Sequence, residues 1–194
     1  VTLTWNCSES RCSVNEPALT NNREGERMRF VLKERVFSIR DSYYVKTEQG
    51  ENAFEVTGQL LSLRDRLTVR NLHGETSATI TKKLLSLRPV YTIARPGQPD
   101  AKVKKDFINI MREGFTVDME DGLPDLRVQG DILDHNYSFT RDGTLVAQVS
   151  KKWISLRDSY VIDVAEGEDA TLLVACAIVV DRIAHGDDDE DDED

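Results

Sequence analysis

The sequence contains few of the residues that cross-link small domains through disulfides or that bind metal ions. Three cysteines cannot form a disulfide framework in a chain of 194 residues. Cys7 and Cys12 have no histidine or third cysteine near them at the spacing of zinc sites, and Cys176 lies in an apolar stretch where a thiol packs as a small hydrophobe. We therefore expect a reduced, cytoplasmic protein that holds no metal ion and no cofactor.

An excess of basic residues is also missing. The formal charge is -10, but the last eight residues, Asp187–Asp194, are all acidic, so they carry -8 and leave -2 for the rest of the chain. Residues 1–27 hold three Arg and four Glu, which leaves about -1 for the body from Met28 to Gly186. Nucleic-acid binders usually carry a basic patch, so nucleic acid is not an expected partner.

The two ends lack the apolar patterning of the body. Residues 1–27 have no basic start followed by an apolar run, so they are not typical of a secretory signal. The acidic block after Gly186 repels itself and stays solvated. We expect residues 1–27 to be a poorly ordered extension, residues 28–186 to be one domain, and residues 187–194 to be a disordered acidic tail.

An internal repeat organises the body of the chain. Four similar segments, VFSIRDSYYV, LLSLRDRLTV, LLSLRPVYTI and WISLRDSYVI, have their serines at Ser38, Ser62, Ser86 and Ser155. The first three serines are 24 residues apart and the last follows after 69, close to three further periods. Gly50, Gly74 and Gly143 each precede the serine of their unit by 12 residues. Glycine turns of this kind join β-hairpins, so one unit is one hairpin plus one turn.

Alternation of apolar and polar residues between these turns predicts about twelve strands. The S-L-R-D segments are then the turns at the opposite ends of the strands. The predicted strands are Arg29–Glu34, Ser42–Thr47, Ala53–Leu60, Arg66–Arg70, Ala78–Leu85, Val90–Arg95, Lys102–Ile110, Phe115–Met119, Asp125–Gly130, Asn136–Arg141, Thr144–Trp153 and Ser159–Val164. Periodicity alone leaves open a two-layer sandwich.

The last patterned segment favours a closed barrel. Asp169–Ile183 reads DATLLVACAIVVDRI, with Glu168 and Asp169 where a helix dipole favours acids and Arg182 in the last turn. This helix is apolar on every face, so it must be buried on all sides. Its apolar part is about 15 Å long, too short for a bilayer core of ~30 Å. We predict a mainly β fold, an antiparallel barrel of about twelve strands around a buried C-terminal helix.

The hairpins with S-L-R-D turns followed by an all-apolar helix resemble the LURP-one-related family. The best-matching pieces are MRFVLKERVFSIRDSY, LLSLRDRLTV, GDILDHNYSF and SKKWISLRDSY, and the match runs from about Met28 to Ala184. The family's fold is similar to the tubby C-terminal domain, a twelve-stranded barrel threaded by its helix, and to phospholipid scramblases. The resemblance implies a binding protein without a known activity, since tubby proteins bind phosphoinositide headgroups.

No residue set in the sequence is typical of an active site. His73, His135 and His185 are far apart and have no carboxylate or thiol partners at ligand spacing, so we expect surface or capping roles. The repeated serines recur too regularly to be nucleophiles. We therefore predict no enzyme activity and no catalytic residue, with an enzyme whose site cannot be recognised as the alternative.

Lysine pairs are the only functional signal. Lys82 and Lys83 stand four and three residues before Ser86, and Lys151 and Lys152 stand at the same offsets before Ser155. With Lys104 and Lys105 these residues would form a patch for an anionic lipid headgroup, whereas ordinary solvated strand faces are the alternative interpretation. We predict a monomeric binding or scaffold domain without a transmembrane segment, whose partner is such a headgroup or a protein.

Overall fold

The computed structural model of the chain describes residues 27–33, 42–61, 64–106, 114–120, 122–151 and 159–185. The expected N-terminal extension apart from Arg27, the acidic tail and the S-L-R-D segments of Ser38 and Ser155 lie outside these residues. Of the S-L-R-D segment that begins at Ser62, only Arg64 and Asp65 are described, as the start of β4. Twelve strands and one helix are present: β1 Met28–Lys33, β2 Ser42–Thr47, β3 Asn52–Leu61, β4 Arg64–Arg70, β5 Thr76–Lys82, β6 Val90–Arg95, β7 Gln98–Asp106, β8 Gly114–Met119, β9 Leu126–Asp131, β10 Asn136–Arg141, β11 Thr144–Ser150, β12 Ser159–Val164 and α1 Ala170–His185.

The twelve strands form one closed antiparallel barrel. Every strand pairs with its neighbours in the sequence, and β1 closes the barrel against β12 from the pair Met28 and Val164 to the pair Lys33 and Ser159. Closure confirms the predicted barrel and excludes the two-layer sandwich. Closure also leaves no unpaired edge strand, which is the usual site of aggregation in open sheets.

Several strand boundaries differ from the predicted ones, most clearly the end of β5 and the beginning of β7. β5 was expected to continue to Leu85, but it ends at Lys82, because the N–H of Lys83 donates a hydrogen bond to the carbonyl of Val90 and the chain then leaves the sheet. β7 begins at Gln98, four residues earlier than expected. Gly97 has a φ of +72°, which allows a tight turn directly into the pairing of Arg95 with Gln98.

The barrel interior is filled by its own helix. Alternate strand residues face inward and are buried, and α1 is buried along nearly its whole length from Leu172 to Ile183. Its small central residues Ala175, Cys176 and Ala177 are fully buried, as close approach of the surrounding wall requires. Among the described residues, no helix combines the length and the apolar composition needed to cross a bilayer.

Acidic side chains fix the beginning of α1. Asp169 caps the helix, since its Oδ1 accepts a hydrogen bond of 2.9 Å from the N–H of Leu172. The same carboxylate binds the buried guanidinium of Arg95 on β6. Arg141 on β10 donates to both carboxylate oxygens of Glu168 at 2.8 Å. Two arginines of the barrel wall therefore hold the start of the helix.

The antiparallel topology gives the barrel two distinct ends. The odd-numbered strands all finish at one end, which we call the loop end, and the even-numbered strands finish at the other, which we call the turn end. α1 follows β12, so it enters at the turn end. It finishes at the loop end, where His185 Nε2 lies 3.2 Å from the carbonyl of Leu133 in the β9–β10 connection.

Candidate functional site

The described lysines of the predicted patch lie at the loop end. Lys82 is the last residue of β5 and Lys83 follows it, Lys104 and Lys105 are near the end of β7, and Lys151 follows β11. Lys152 is outside the described residues. Exposed Lys33 at the end of β1 and Arg88 in the β5–β6 loop add to the basic character of this end.

These lysines do not form one patch. The strand order places β5 and β11 on opposite sides of the barrel, so Lys82 and Lys151 also lie on opposite sides of it. Lys82 is paired with buried Tyr91, and Lys105 with buried Phe115, which puts both lysines on the inner rim. Lys104 is on the outer face and forms an ion pair with Asp118 of β8. The described lysines are therefore distributed around the loop end of the barrel, some on its inner rim and others on its outer face.

Exposed leucines accompany the lysines in the β5–β6 loop. Leu84 is half exposed, Leu85 is 95% exposed and Leu87 is fully exposed, and Lys83 and Arg88 flank them. A cluster of exposed large apolar residues is unusual on a protein surface and marks a site of interaction. Sequence reasoning missed this loop because it assigned Leu84 and Leu85 to a strand. The sequence does contain an indication of the loop, because the adjacent leucines Leu84 and Leu85 break the alternation of apolar and polar residues that a half-buried strand shows.

The turn end has the opposite electrostatic character. In the described part of the chain, the connections at this end contain nine acidic residues and neither Lys nor Arg. These acids are Glu48, Glu51, Glu75, Glu120, Asp125, Asp142, Glu166, Glu168 and Asp169. The connections at the turn end are therefore acidic in the described part of the chain, although the net charge of the body is small.

A cleft of about 540 Å³ opens on the outer surface at the turn end. Arg29, in its wall, binds Asp163 and donates to Glu48 at 2.7 Å, and the hydrogen bond to Asp163 raises the pKa of its guanidinium. The other lining residues are Arg27, Met28, Phe30, Thr47, Gln49, Glu166 and Gly167. This lining contains no histidine and no cysteine.

A histidine–carboxylate cluster closes the interior at the loop end. Buried His135 at the end of the β9–β10 connection places its Nε2 2.6 Å from Oδ1 of buried Asp181 on α1. His185, one helical turn further along α1, places its Nδ1 3.2 Å from the same oxygen. The two imidazole rings are stacked, with centroids 4.8 Å apart. Two histidines and a carboxylate thus meet in a site that is shielded from water.

The close contacts alter the titration of the cluster. The hydrogen bond to Asp181 raises the pKa of His185 to about 9. Burial alone would raise the pKa of Asp181, but the hydrogen bonds from His135 and His185 outweigh it and hold that pKa below its ordinary value. A charged carboxylate is therefore maintained inside an apolar barrel by its histidine partners.

The turn that carries His135 depends on a close backbone approach. Gly130 of β9 is paired with Tyr137 of β10, and a Cβ at Gly130 would lie 2.5 Å from the carbonyl oxygen of Asn136. His135 itself has a φ of +50°, a conformation that is uncommon for a residue with a side chain. Its ring stacks on Tyr160 with centroids 4.6 Å apart. The local fold thus fixes the ring against Asp181.

The expectation that the histidines lack a carboxylate partner was wrong for two of them. Asp181 and His185 are four residues apart on one helix face, a spacing that the sequence displays. His135 is 46 residues from Asp181, so only barrel closure brings them together. His73 is exposed in the β4–β5 turn, which agrees with the expected surface role.

Comparison with known proteins agrees with this architecture. The sequence profile of the LURP-one-related family matches residues 28–181. The chain belongs to the LURP-one-related family. The uncharacterized protein YxjI of Bacillus subtilis (strain 168) is 31% identical over 159 residues, which cover 82% of this chain and 95% of the relative. The X-ray structure of an Arabidopsis thaliana protein has a similar fold, with a TM-score of 0.60 and 17% identity over 81% of this chain and 91% of its own.

Proposed function

We propose that this LURP-one-related protein is a non-enzymatic binding domain that attaches to anionic phospholipid surfaces through its loop end. The observation that carries the proposal is the β5–β6 loop, in which exposed Leu85 and Leu87 stand between Lys83 and Arg88. Peripheral membrane proteins need two signals to bind stably, an apolar insertion and an electrostatic attraction. This loop supplies both at one place.

The free energy of membrane attachment can be estimated from the exposed leucines and the basic residues of the loop. Burying one leucine side chain contributes roughly 1.5–3 kcal/mol, and each Lys or Arg near an anionic surface contributes about 1 kcal/mol. Two leucines and the two flanking basic residues together contribute roughly 5–8 kcal/mol, which is comparable with the lower part of the ~4–15 kcal/mol cost of association. The ring of lysines around the barrel end would orient the protein with its axis close to the membrane normal.

The small net charge of the body does not argue against this function. Electrostatic attraction falls off within about 8 Å at physiological ionic strength, so the membrane senses the nearer end of the barrel. The acidic connections are at the far end, where they would face solvent. The distribution of charge along the axis, and not its sum, decides the orientation.

Co-sedimentation with vesicles tests the proposal. We expect the full chain to sediment with phosphatidylcholine vesicles that contain phosphatidylserine or a phosphoinositide, and to stay in solution with pure phosphatidylcholine. Binding should weaken as NaCl is raised. Absence of binding to every anionic vesicle would overturn the lipid proposal and would leave a protein as the partner of a scaffold domain.

Two pairs of matched variants locate the contact. Leu85→Ser with Leu87→Ser should abolish binding, whereas Leu72→Ser with Leu123→Ser, which changes exposed leucines at the turn end, should not.

Lys82→Glu with Lys83→Glu should reduce binding about tenfold or more, by analogy with about 1 kcal/mol for each lost contact and the added repulsion. The control is Arg27→Glu with Lys46→Glu, which adds the same charge at the turn end. Equal losses in both variants would show that net charge, and not the loop end, governs binding.

A further inference from the structure

We propose that His135, Asp181 and His185 form a binding site for a divalent transition metal ion at the loop end of the barrel. The three side chains offer two imidazole nitrogens and one carboxylate oxygen, and these ligand atoms all lie within 4.8 Å of one another. They come from the β9–β10 connection and from the last turns of α1. A bound ion would tie the end of the helix to the barrel wall.

The types of ligand specify the class of ion. Imidazole nitrogen suits zinc, cobalt, nickel, copper and iron, whereas magnesium and calcium prefer a set of oxygen atoms. Zinc lies about 2.0–2.2 Å from nitrogen and carboxylate ligands, which in a tetrahedron separates the ligand atoms by roughly 3.3 Å. The two nitrogens are now 2.6 and 3.2 Å from Oδ1 of Asp181. Each nitrogen therefore has to move away from Oδ1 by less than an ångström, and the two nitrogens, which lie within 4.8 Å of each other, have to reach the same separation.

One ring must also tilt. The two imidazole planes are parallel within 4°, and a nitrogen lone pair lies in the plane of its ring, so both rings cannot point at one ion as they stand. His135 is fixed between Tyr160 and His185. His185 is the last residue of α1 and has a side-chain exposure of 11%. Its ring is therefore the one that tilts.

The surroundings of His185 favour this role. Its Nε2 lies 3.2 Å from the carbonyl of Leu133, and its Nδ1 lies 3.0 Å from the backbone carbonyl oxygen of Asp181 and 3.2 Å from Oδ1 of the same residue. A histidine that binds a metal through one nitrogen usually donates from the other to a carbonyl or carboxylate. The left-handed backbone of His135 supports the same conclusion, since unusual backbone conformations concentrate at functional sites.

Three protein ligands leave one position of a tetrahedral ion open. A structural zinc site normally fills all four positions from the protein, whereas an open position is occupied by water or a bound molecule. The site lies at the same end of the barrel as the β5–β6 loop. Metal binding would release protons from the histidines and would stabilise the folded chain by mass action.

Titration of the full chain with Co²⁺ and Zn²⁺ tests the site. A background of Cys7→Ser and Cys12→Ser removes the N-terminal thiols as competitors. After treatment with a chelator, we expect one equivalent of Co²⁺ to give visible absorption bands of a nitrogen and oxygen site, and one equivalent of Zn²⁺ to displace it. Calorimetry should show 1:1 binding, and the melting temperature should rise with Zn²⁺ concentration.

Variants identify the ligands. His185→Gln should weaken Zn²⁺ binding at least about tenfold, and His73→Gln, which changes the exposed histidine, should not alter it. Protection of His135 and His185 from diethyl pyrocarbonate by Zn²⁺ in the unaltered chain, mapped by mass spectrometry, gives the same answer without any risk of misfolding. The proposal is overturned if no 1:1 binding occurs, or if binding disappears on deletion of Asp187–Asp194 but not with His185→Gln.

Discussion

The two ends of the barrel differ in the residues that their connections expose. At the turn end, connections such as 96–97 and 142–143 are two residues long, and the described connections are acidic. At the loop end, the β5–β6 connection spans 83–89 and exposes leucines between basic residues. Loops on a rigid scaffold often carry binding functions, so this contrast supports the proposal that the loop end contacts the partner.

The helix is held differently at its two ends. At the turn end, Arg95 and Arg141 form ion pairs with Asp169 and Glu168. At the loop end, Asp181 is held by two histidines, His135 and His185, whose rings are stacked on each other. The two anchors therefore differ in chemistry, since arginine–carboxylate pairs hold the beginning of α1 and a histidine–carboxylate cluster holds its end.

The most damaging change strikes the helix that joins the two ends. Ala177→Asp places a carboxylate between the apolar wall residues, where neither water nor a partner reaches it. An unpaired buried charge together with overpacking costs several kcal/mol against a total stability of about 5–15 kcal/mol. We expect an insoluble or unfolded variant, as measured by solubility and circular dichroism. Leu85→Asp, at an exposed loop position, is the control and should fold normally.

Truncation provides an independent check of the central helix. A chain that ends after Gly167 keeps all twelve strands but loses the filling of the barrel. We expect it to give no cooperative melt. A soluble truncated chain with a cooperative transition would show that the wall is stable by itself and would contradict the role of α1 as the core.

Removing the turn-end anchor should have the next largest effect. Arg95→Met leaves the helix-capping Asp169 without its buried partner. Because the Asp169 side chain is one-third exposed, we expect a loss of roughly 2 kcal/mol, below the ~3–5 kcal/mol of a fully buried pair. The melting temperature should fall by about 4–8 °C. Arg66→Met, on the exposed outer face, should leave the melting temperature unchanged. If both variants lowered the melting temperature equally, the ion pair between Arg95 and Asp169 would not be the cause of the loss.

The acidic tail reduces the electrostatic contrast between the ends, because it follows α1, which finishes at the loop end. Eight like charges with no apolar residue do not pack. Deleting Asp187–Asp194 should therefore change the melting temperature by no more than about 2 °C. The deletion should also strengthen binding to anionic vesicles, since it removes negative charge next to the basic ring. A drop of roughly 10 °C would instead show that the tail contributes to folding.

The smallest expected effect concerns the thiol inside the helix. Cys176 is fully buried, and burial raises the pKa of its thiol far above the usual range. A protonated, shielded thiol reacts slowly with alkylating agents. In a Cys7→Ser and Cys12→Ser background, iodoacetamide at pH 8 should modify Cys176 only after denaturant is added. Rapid modification of the native protein, detected by mass spectrometry, would show that the barrel opens frequently.

Periodic sequence signals predicted the fold well because they are local. The glycine turns and the all-apolar helix gave twelve strands around α1, and the helix was expected at Asp169–Ile183 and found at Ala170–His185. Apolar character alone does not distinguish buried core residues from exposed ones, so the sequence pattern assigns Leu84 and Leu85 to a strand although they lie in an exposed loop. The offsets of Lys82 and Lys151 predicted their height along the barrel, but not their positions on opposite sides of it.

The position of the core helix after all twelve strands has a consequence for protein synthesis. β1 can pair with β12 only after β12 has been made, and the helix that fills the barrel follows Gly167. Until α1 has left the ribosome, the nascent chain is a set of local hairpins whose apolar faces are not covered by the helix. We expect ribosome-bound chains that stop before Asp169 to be cut by proteases that spare the complete barrel. Hairpin formation can thus be early and co-translational, whereas the cooperative native state is reached only once α1 has been synthesised.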